Sequence, residues 1–195
     1  MKKYVLIGDS HAQVVFPLLQ NKLETLGYHV YSKANAGWSL KKHLENGLST
    51  IIATEQPTDI VLSVGGNNFD LTDNYTNTIN SILEIAKNNN VQRLYWVSPT
   101  YSIRDDVQQR HEWTSNYLAT HLPRKVKFID IRPITTTGHQ NDGVHYKVST
   151  YQNVADYVFS KIESRAITPI SNKIWWISGL FVTMSTIIYL LKRKK

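Results

Sequence analysis

The chain of 195 residues contains no cysteine. This absence excludes disulfide bonds, thiolate metal ligands and a cysteine nucleophile, and it fits either redox compartment. The seven histidines include no pair with the spacing of a metal site, so we expect no metal. Gly65-Gly66 lacks both the lysine of a phosphate-binding loop and the glycine pattern of a dinucleotide site, and we predict no cofactor.

Acidic residues are absent from the C-terminal end, because all 15 of them lie before position 172. Lys173 and residues 192–195 supply five of the 22 basic residues. The net charge of +7 falls to +2 without these five, with 17 basic residues against 15 acidic ones. No stripe of lysine and arginine alternates with aromatics in the way that follows a phosphate backbone. We therefore predict no nucleic-acid partner.

Charged residues are also absent between Ile174 and Leu191. A helix over this segment would be about 27 Å long, which is enough to span a thin bilayer. Trp175 and Trp176 at one end and Tyr189 at the other are typical of the aromatic belts of membrane helices. The alternative is a buried core helix, which the basic flanks and the terminal position disfavour. The sequence thus predicts a transmembrane helix.

The resulting domain organisation has four parts. Residues 1–166 form the predicted folded domain, 167–173 a linker, 174–191 a membrane anchor and 192–195 a basic tail. The tail predicts a cytoplasmic C-terminus with the domain across the membrane. The first apolar run, Tyr4–Ile7, is too short for a secretory signal, which instead favours a domain facing the cytoplasm. We favour the cytoplasmic side and leave the other open.

Short apolar runs alternate with helical patterns through the predicted domain. The runs are rich in Val, Ile, Leu and Tyr, as in strands buried on both faces: Tyr4–Ile7, His29–Ser32, Ile60–Val64, Leu94–Ser98 and Lys127–Ile131. The predicted helices cover Gln13–Leu26, Leu40–Thr54, Asn74–Asn88, Val107–His121 and Thr150–Arg165. Alternation of this kind predicts an α/β fold, a three-layer α/β/α sandwich around a five-stranded parallel, flavodoxin-like sheet.

Four polar segments follow predicted strands. Because ligands of parallel α/β sheets bind beyond the carboxyl ends of the strands, residues in these segments are expected to meet. The segments are Gly8-Asp9-Ser10-His11, Asn35-Ala36-Gly37-Trp38-Ser39, Gly65-Gly66-Asn67-Asn68 and Asn141-Asp142-Gly143-Val144-His145.

These segments, in this order, resemble the SGNH hydrolases, also called the GDSL-like esterase and lipase superfamily. Ser10 matches the nucleophile of that family, Gly37 the glycine of its second motif and Asn67 the asparagine of its third. Asp142 and His145 match its Asp-x-x-His motif. Each motif alone is weak, whereas four in order across the whole predicted domain form a specific signal.

The chemistry of the residues supports the same roles. Ser10 needs a base to become a nucleophile, and His145 can take its proton and return it to the leaving group. Asp142 can hold the imidazole tautomer and stabilise the imidazolium. The resemblance implies an oxyanion hole formed by the backbone N–H groups of Ser10 and Gly37 and the side-chain amide of Asn67.

Several residues keep two interpretations. Ser10 by itself could be a helix N-cap, and Asp9 is interpreted as a support for the turn. His11 could line the pocket or lie in a solvated turn. Four further histidines are predicted to lie on the surface: His29, His43, His111 and His121. His139, in the loop before Asp142, could border the pocket. Three aromatic residues that follow strand ends could line the substrate site or could be ordinary packing residues: Trp38, Phe69 and Tyr101.

The predicted function is that of a membrane-anchored serine esterase that hydrolyses carboxylic esters through an acyl-enzyme on Ser10. An O-acetyl glycan or another short acyl ester is the first expectation for the substrate. The anchor favours the alternative, a lysophospholipase or acyl-thioesterase acting on membrane lipids. A different class also stays open, a non-catalytic structural or binding module that retains the fold. The oligomeric state is open.

Overall fold

A computed structural model of the chain describes residues 1–67 and 73–164. The predicted anchor 174–191, its linker and its tail lie outside these residues. Within them, no helix has the length and apolar character needed to cross a bilayer. The helices and strands, in chain order, are β1 (Lys3–Gly8), α1 (Ala12–Thr25), β2 (His29–Ala34), α2 (Leu40–Glu45), α3 (Leu48–Glu55), β3 (Asp59–Ser63), α4 (Asp73–Asn88), β4 (Arg93–Val97), α5 (Asp105–His121), β5 (Val126–Ile129) and α6 (Val148–Glu163).

The five strands form one sheet in the order β2-β1-β3-β4-β5, and every neighbouring pair is parallel. The predicted five-stranded parallel sheet with flavodoxin-like order is therefore confirmed. The chain leaves β1 toward one edge and returns through β3 on the other side. The loops after β1 and β3 thus flank the point where the direction of winding reverses, which is the usual ligand position of such sheets.

Helices cover both faces of the sheet, and β1 shows why. Residues 4 to 7 have no exposed surface. Tyr4 and Leu6 pack with α1 and α6 on one face, whereas Val5 and Ile7 pack with α2, α3 and α4 on the other. Burial of each large apolar side chain contributes about 1.5–3 kcal/mol. The uninterrupted apolar run at the start of the chain is thus explained by a central strand in a three-layer sandwich.

The single helix predicted for Leu40–Thr54 is wrong, because the structure divides this segment into α2 and α3. Asn46 ends the first of these helices, and Gly47 has a φ of +90° before the second begins. Glycine adopts this left-handed conformation without the steric cost that a side chain brings. The apolar pattern continues across the break, which is why periodicity alone suggested one helix.

His43 and His111 are buried, contrary to the surface positions predicted for them. They are only 2% and 3% exposed. His43 Nε2 lies 3.1 Å from the carbonyl oxygen of Gly8, and His111 Nδ1 lies 2.7 Å from that of Thr100. Carbonyl partners make burial of an imidazole possible. Burial lowers the pKa of His43 to about 4 and also lowers the pKa of His111.

Gly8 is predicted to be essential for the packing of α1 on β1. A Cβ at this position would lie 2.0 Å from Ala12 Cβ and 2.9 Å from the Phe16 ring. We expect Gly8→Ala to lower the free energy of unfolding by about 1–3 kcal/mol, as overpacking does. Urea unfolding of the single variant and of Gly8→Ala/Ala12→Gly checks this. The second change removes the nearest atom, so additive losses in the double variant would contradict the steric explanation.

Candidate active site

The loop before α6 is shaped by the Asp142 carboxylate. Asp142 Oδ1 accepts hydrogen bonds from the backbone N–H groups of Val144 and His145, both at 2.9 Å. Gly143, between them, has a φ of +70°. This turn is of the kind that aspartate side chains stabilise. Because Oδ1 is used by the backbone, Oδ2 is left to face the imidazole of His145.

Ser10, His145 and Asp142 form a continuous hydrogen-bonded chain. Asp142 Oδ2 lies 2.7 Å from His145 Nδ1, and His145 Nε2 lies 3.2 Å from Ser10 Oγ. The hydrogen bond from the His145 ring, together with the two from the backbone, holds the pKa of Asp142 well below its usual value. An ionised carboxylate there requires a proton on Nδ1. Nε2 is then free to accept the Ser10 hydroxyl proton.

The turn that carries Ser10 is held at both ends by backbone hydrogen bonds. The Asp9 N–H donates to the Ser63 carbonyl at 3.1 Å, and the Gln13 N–H donates to the Asp9 carbonyl at 3.1 Å. Asp9 Oδ1 accepts the N–H of His11 at 3.1 Å, which agrees with the supporting role predicted for this carboxyl. Asp9 is 5% exposed, and burial raises its pKa to about 6.

The three predicted oxyanion residues line one cleft with the histidine. Ser10, Gly37, Asn67 and His145 all contribute to its wall. Gly37 has a φ of +72°, and a Cβ built there would meet no atom within 4 Å. The glycine is thus required by backbone conformation in this structure. The loop that carries it is tied to the end of β1, because the Asn35 N–H donates to the Gly8 carbonyl at 3.0 Å.

A close approach of backbone and side chain accounts for the glycine before Asn67. A Cβ on Gly66 would lie 2.8 Å from His111 Nε2. The buried imidazole of His111 therefore lies directly against the segment that presents Asn67. This contact joins α5 to the loop after β3, and the sequence offered no sign of it, since a histidine in a helical pattern is normally interpreted as a surface residue.

His11 lies against His145 and lines the same cleft, which resolves its two interpretations in favour of the pocket. It is 8% exposed, and its ring centroid is 5.1 Å from that of His145. Its Nδ1 is 3.2 Å from the Tyr151 hydroxyl and its Nε2 is 3.4 Å from the Thr100 hydroxyl. Burial lowers its pKa to about 3, so the ring is neutral near pH 7.

The remaining wall of the cleft is mostly apolar. Val14, Val107 and Val144 line it, and Arg110 adds a cation whose Nε donates to the Gly66 carbonyl at 3.3 Å. Trp38 and Tyr101 do not belong to this lining. Phe69 lies outside the described residues. His139 is also outside this lining and contacts the rings of Tyr101 and Tyr146. Among the residues that the structure describes, no group of three acidic or histidine side chains is arranged to hold a metal ion.

Comparisons with known proteins show which fold the chain has, but they assign the chain to no sequence family. No family model and no curated protein sequence matches the chain. Solved structures do match. The structure of TesA aligns with a TM-score of 0.69 at 18% identity, covering 84% of this chain and 99% of that one.

Two further matches are similar in extent. The acetyl xylan esterase AlAXEase has a TM-score of 0.62 at 18% identity, covering 82% of this chain and 99% of its own. The C-terminal catalytic domain of the Streptococcus pneumoniae peptidoglycan O-acetyltransferase A (OatA) has a TM-score of 0.63 at 21% identity, covering 86% and 96%. The chain therefore has the fold of these three proteins across nearly their full length.

Proposed function

We propose that the chain is a serine ester hydrolase of the SGNH type. The observation that carries the proposal is the chain of hydrogen bonds from Asp142 Oδ2 through the His145 ring to Ser10 Oγ, with distances of 2.7 Å and 3.2 Å. A base hydrogen-bonded to a serine hydroxyl, and itself oriented by a carboxylate, is the arrangement that activates serine for attack on a carbonyl. A binding module does not need it.

In the proposed reaction Ser10 Oγ attacks the ester carbonyl while His145 Nε2 accepts its proton. The tetrahedral intermediate then expels the alcohol, which receives that proton from His145, and an acyl-enzyme remains. Water attacks the acyl group with His145 again as the base, and His145 then returns the proton to Ser10 Oγ as the acid is released. Asp142 stays ionised throughout and stabilises the imidazolium that forms in each half-reaction.

The developing negative charge on the carbonyl oxygen needs donors placed before the reaction begins. We assign this role to the backbone N–H groups of Ser10 and Gly37 and to the Asn67 side-chain amide, which line the same cleft. Loss of one such donor typically lowers kcat about 10²- to 10³-fold. Two similar structures, an acetyl xylan esterase and the catalytic domain of a peptidoglycan O-acetyltransferase, support an O-acetylated glycan as substrate.

Anchoring through residues 174–191 remains part of the proposal on the strength of their sequence alone. Such an anchor favours the alternative function, that of a lysophospholipase or acyl-thioesterase whose substrate lies in the membrane. The side of the membrane on which the domain lies decides between exported glycans and cytoplasmic acyl groups. Protease protection of the domain in sealed vesicles measures that side.

Labelling by a fluorophosphonate tests the proposed mechanism directly. We expect the full-length chain to be labelled once per molecule and to hydrolyse 4-nitrophenyl acetate, because the probe phosphonylates only an activated serine. Ser10→Ala should lose both the label and the turnover. Ser164→Ala, which removes the serine that follows α6, is the matched control and should keep both. A folded chain that neither labels nor turns over would leave the non-catalytic module as the better explanation.

A further inference from the structure

The loop that carries Gly37 continues into a cationic aromatic surface. Trp38 directly follows Gly37 and is half-buried. The ammonium groups of Lys33 and Lys42 each lie 5.4 Å from the centroid of its indole ring. We call this set of three side chains the Trp38 platform. Contacts of this kind hold an ammonium group in place by attraction to the ring face.

No carboxylate among the described residues neutralises the positive charge of the Trp38 platform. Among the described residues, neither Lys33 nor Lys42 forms an ion pair, whereas the neighbouring Lys41 faces Glu45 at 3.9 Å. Lys33 also donates to the carbonyl oxygen of Asn46 at 3.4 Å, which carries no net charge. Two positive charges are therefore concentrated around one ring, which directly follows the cleft residue Gly37 in the chain.

The platform has a defined position relative to the nucleophile. The Trp38 ring meets the buried His43 ring edge-on, with centroids 5.0 Å apart. His43 Nε2 in turn lies 3.1 Å from the Gly8 carbonyl, two residues before Ser10. Because the buried His43 contacts both the Trp38 ring and the Gly8 carbonyl, it links Trp38 to the turn that presents Ser10.

From these contacts we infer that the Trp38 platform binds an anionic group of the substrate next to the ester that Ser10 attacks. This inference rests on the proposed function and narrows it to esters that carry a negative charge beside a ring or chain able to lie against the indole. An acidic sugar residue has this chemistry, with its ring on Trp38 and its carboxylate between the two ammonium groups. A phosphate of a lipid headgroup shares the anionic part only.

Charge-matched ester pairs test the inference in the full-length chain. 4-Acetoxybenzoate and its neutral methyl ester place the charge on the alcohol side. 4-Nitrophenyl hydrogen fumarate and its methyl ester place it on the acyl side, where the trans double bond keeps the carboxylate from attacking its own ester. For each pair, the kcat/KM of the anionic ester is divided by that of the neutral ester, and this ratio is compared between variants. The intrinsic reactivity of the esters cancels in that comparison.

We expect Lys33→Gln/Lys42→Gln to lower the anionic-to-neutral ratio about tenfold in one of the two pairs, mainly through KM. Neutral esters should be hydrolysed as before. The preference should also weaken at 1 M salt, where charges are screened beyond about 3 Å. Lys41→Gln is the matched control, because it removes a lysine of the same helix outside the platform. Lys33→Arg/Lys42→Arg should retain the preference.

The outcomes separate the two proposals. Ser10-dependent turnover of all four esters, with ratios equal in the chain and in the double glutamine variant, would overturn the inference and leave the esterase standing. An equal loss in Lys41→Gln would also overturn it, since general surface charge would then be the cause. Absence of any Ser10-dependent turnover would overturn the proposed function and, with it, the inference. A preference present only with a phosphate diester headgroup in vesicles would point to the lipid rather than the sugar.

Discussion

His145→Ala is expected to lower kcat for 4-nitrophenyl acetate by about 10⁴-fold or more. Its Nε2 is the only base within hydrogen-bond reach of Ser10 Oγ among the described residues, at 3.2 Å. Without it the hydroxyl keeps its proton, and no group protonates the leaving alcohol. Asp142→Asn should cost a comparable factor, because an amide at Oδ2 no longer selects the Nδ1–H tautomer.

Three further measurements make this prediction specific. The combination His145→Ala/Asp142→Asn should be no slower than His145→Ala alone, since residues that act as one unit are strongly non-additive. His29→Ala is the control, because it removes an exposed histidine at the opposite end of the sheet. A His145→Ala variant within tenfold of the parent chain, still labelled at Ser10, would show that another group acts as the base.

His11→Gln is expected to reduce the loss of stability that the fold suffers in acid. Burial lowers the pKa of His11 from 6.5 to about 3. Between these two pH values the unfolded chain therefore binds a proton that the folded chain does not bind. Stability from this group is fully present above pH 6.5 and is lost as the pH falls toward about 3. Between pH 7 and 4.5 the parent chain should lose about 3 kcal/mol more of its unfolding free energy than the variant.

Two other buried groups shape the same pH range. His43, with a pKa lowered to about 4, adds to the loss in acid. Asp9 acts in the opposite sense, since its pKa is raised to about 6 and its burial becomes easier as it gains a proton. Both are unchanged in His11→Gln, so the difference between variant and parent isolates one histidine.

Urea unfolding of both chains at pH 7, 5.5 and 4.5 measures the effect. His121→Gln is the control, because it removes an exposed histidine that faces no carboxylate among the described residues, and it should leave the acid loss as it is in the parent chain. Parallel pH profiles for the parent and His11→Gln would mean that His11 gains its proton in the fold as easily as in the unfolded chain. That result would contradict the buried, neutral ring that lies against His145.

Most of the sheet could be predicted from the sequence, because its signals are local. Tyr4–Ile7 is apolar at every position, and only a strand covered on both faces accommodates that composition. The turn residues at the end of each strand, from Gly8-Asp9-Ser10 to the Asp142-x-x-His145 spacing, define short backbone geometries that hardly depend on the rest of the chain. The break between α2 and α3 depended on a single glycine within a continuous apolar pattern, and periodicity did not reveal it.

The sequence by itself determined which four turns carry Ser10, Gly37, Asn67 and His145. It also determined which end of each strand these turns follow. Only the tertiary structure decided which of the other histidines are buried. Whether a polar ring is buried depends on a carbonyl or hydroxyl supplied by a distant part of the chain, as Gly8 supplies one for His43 and Tyr151 for His11. Such partners have no local pattern, because they exist only once the helices are packed on the sheet.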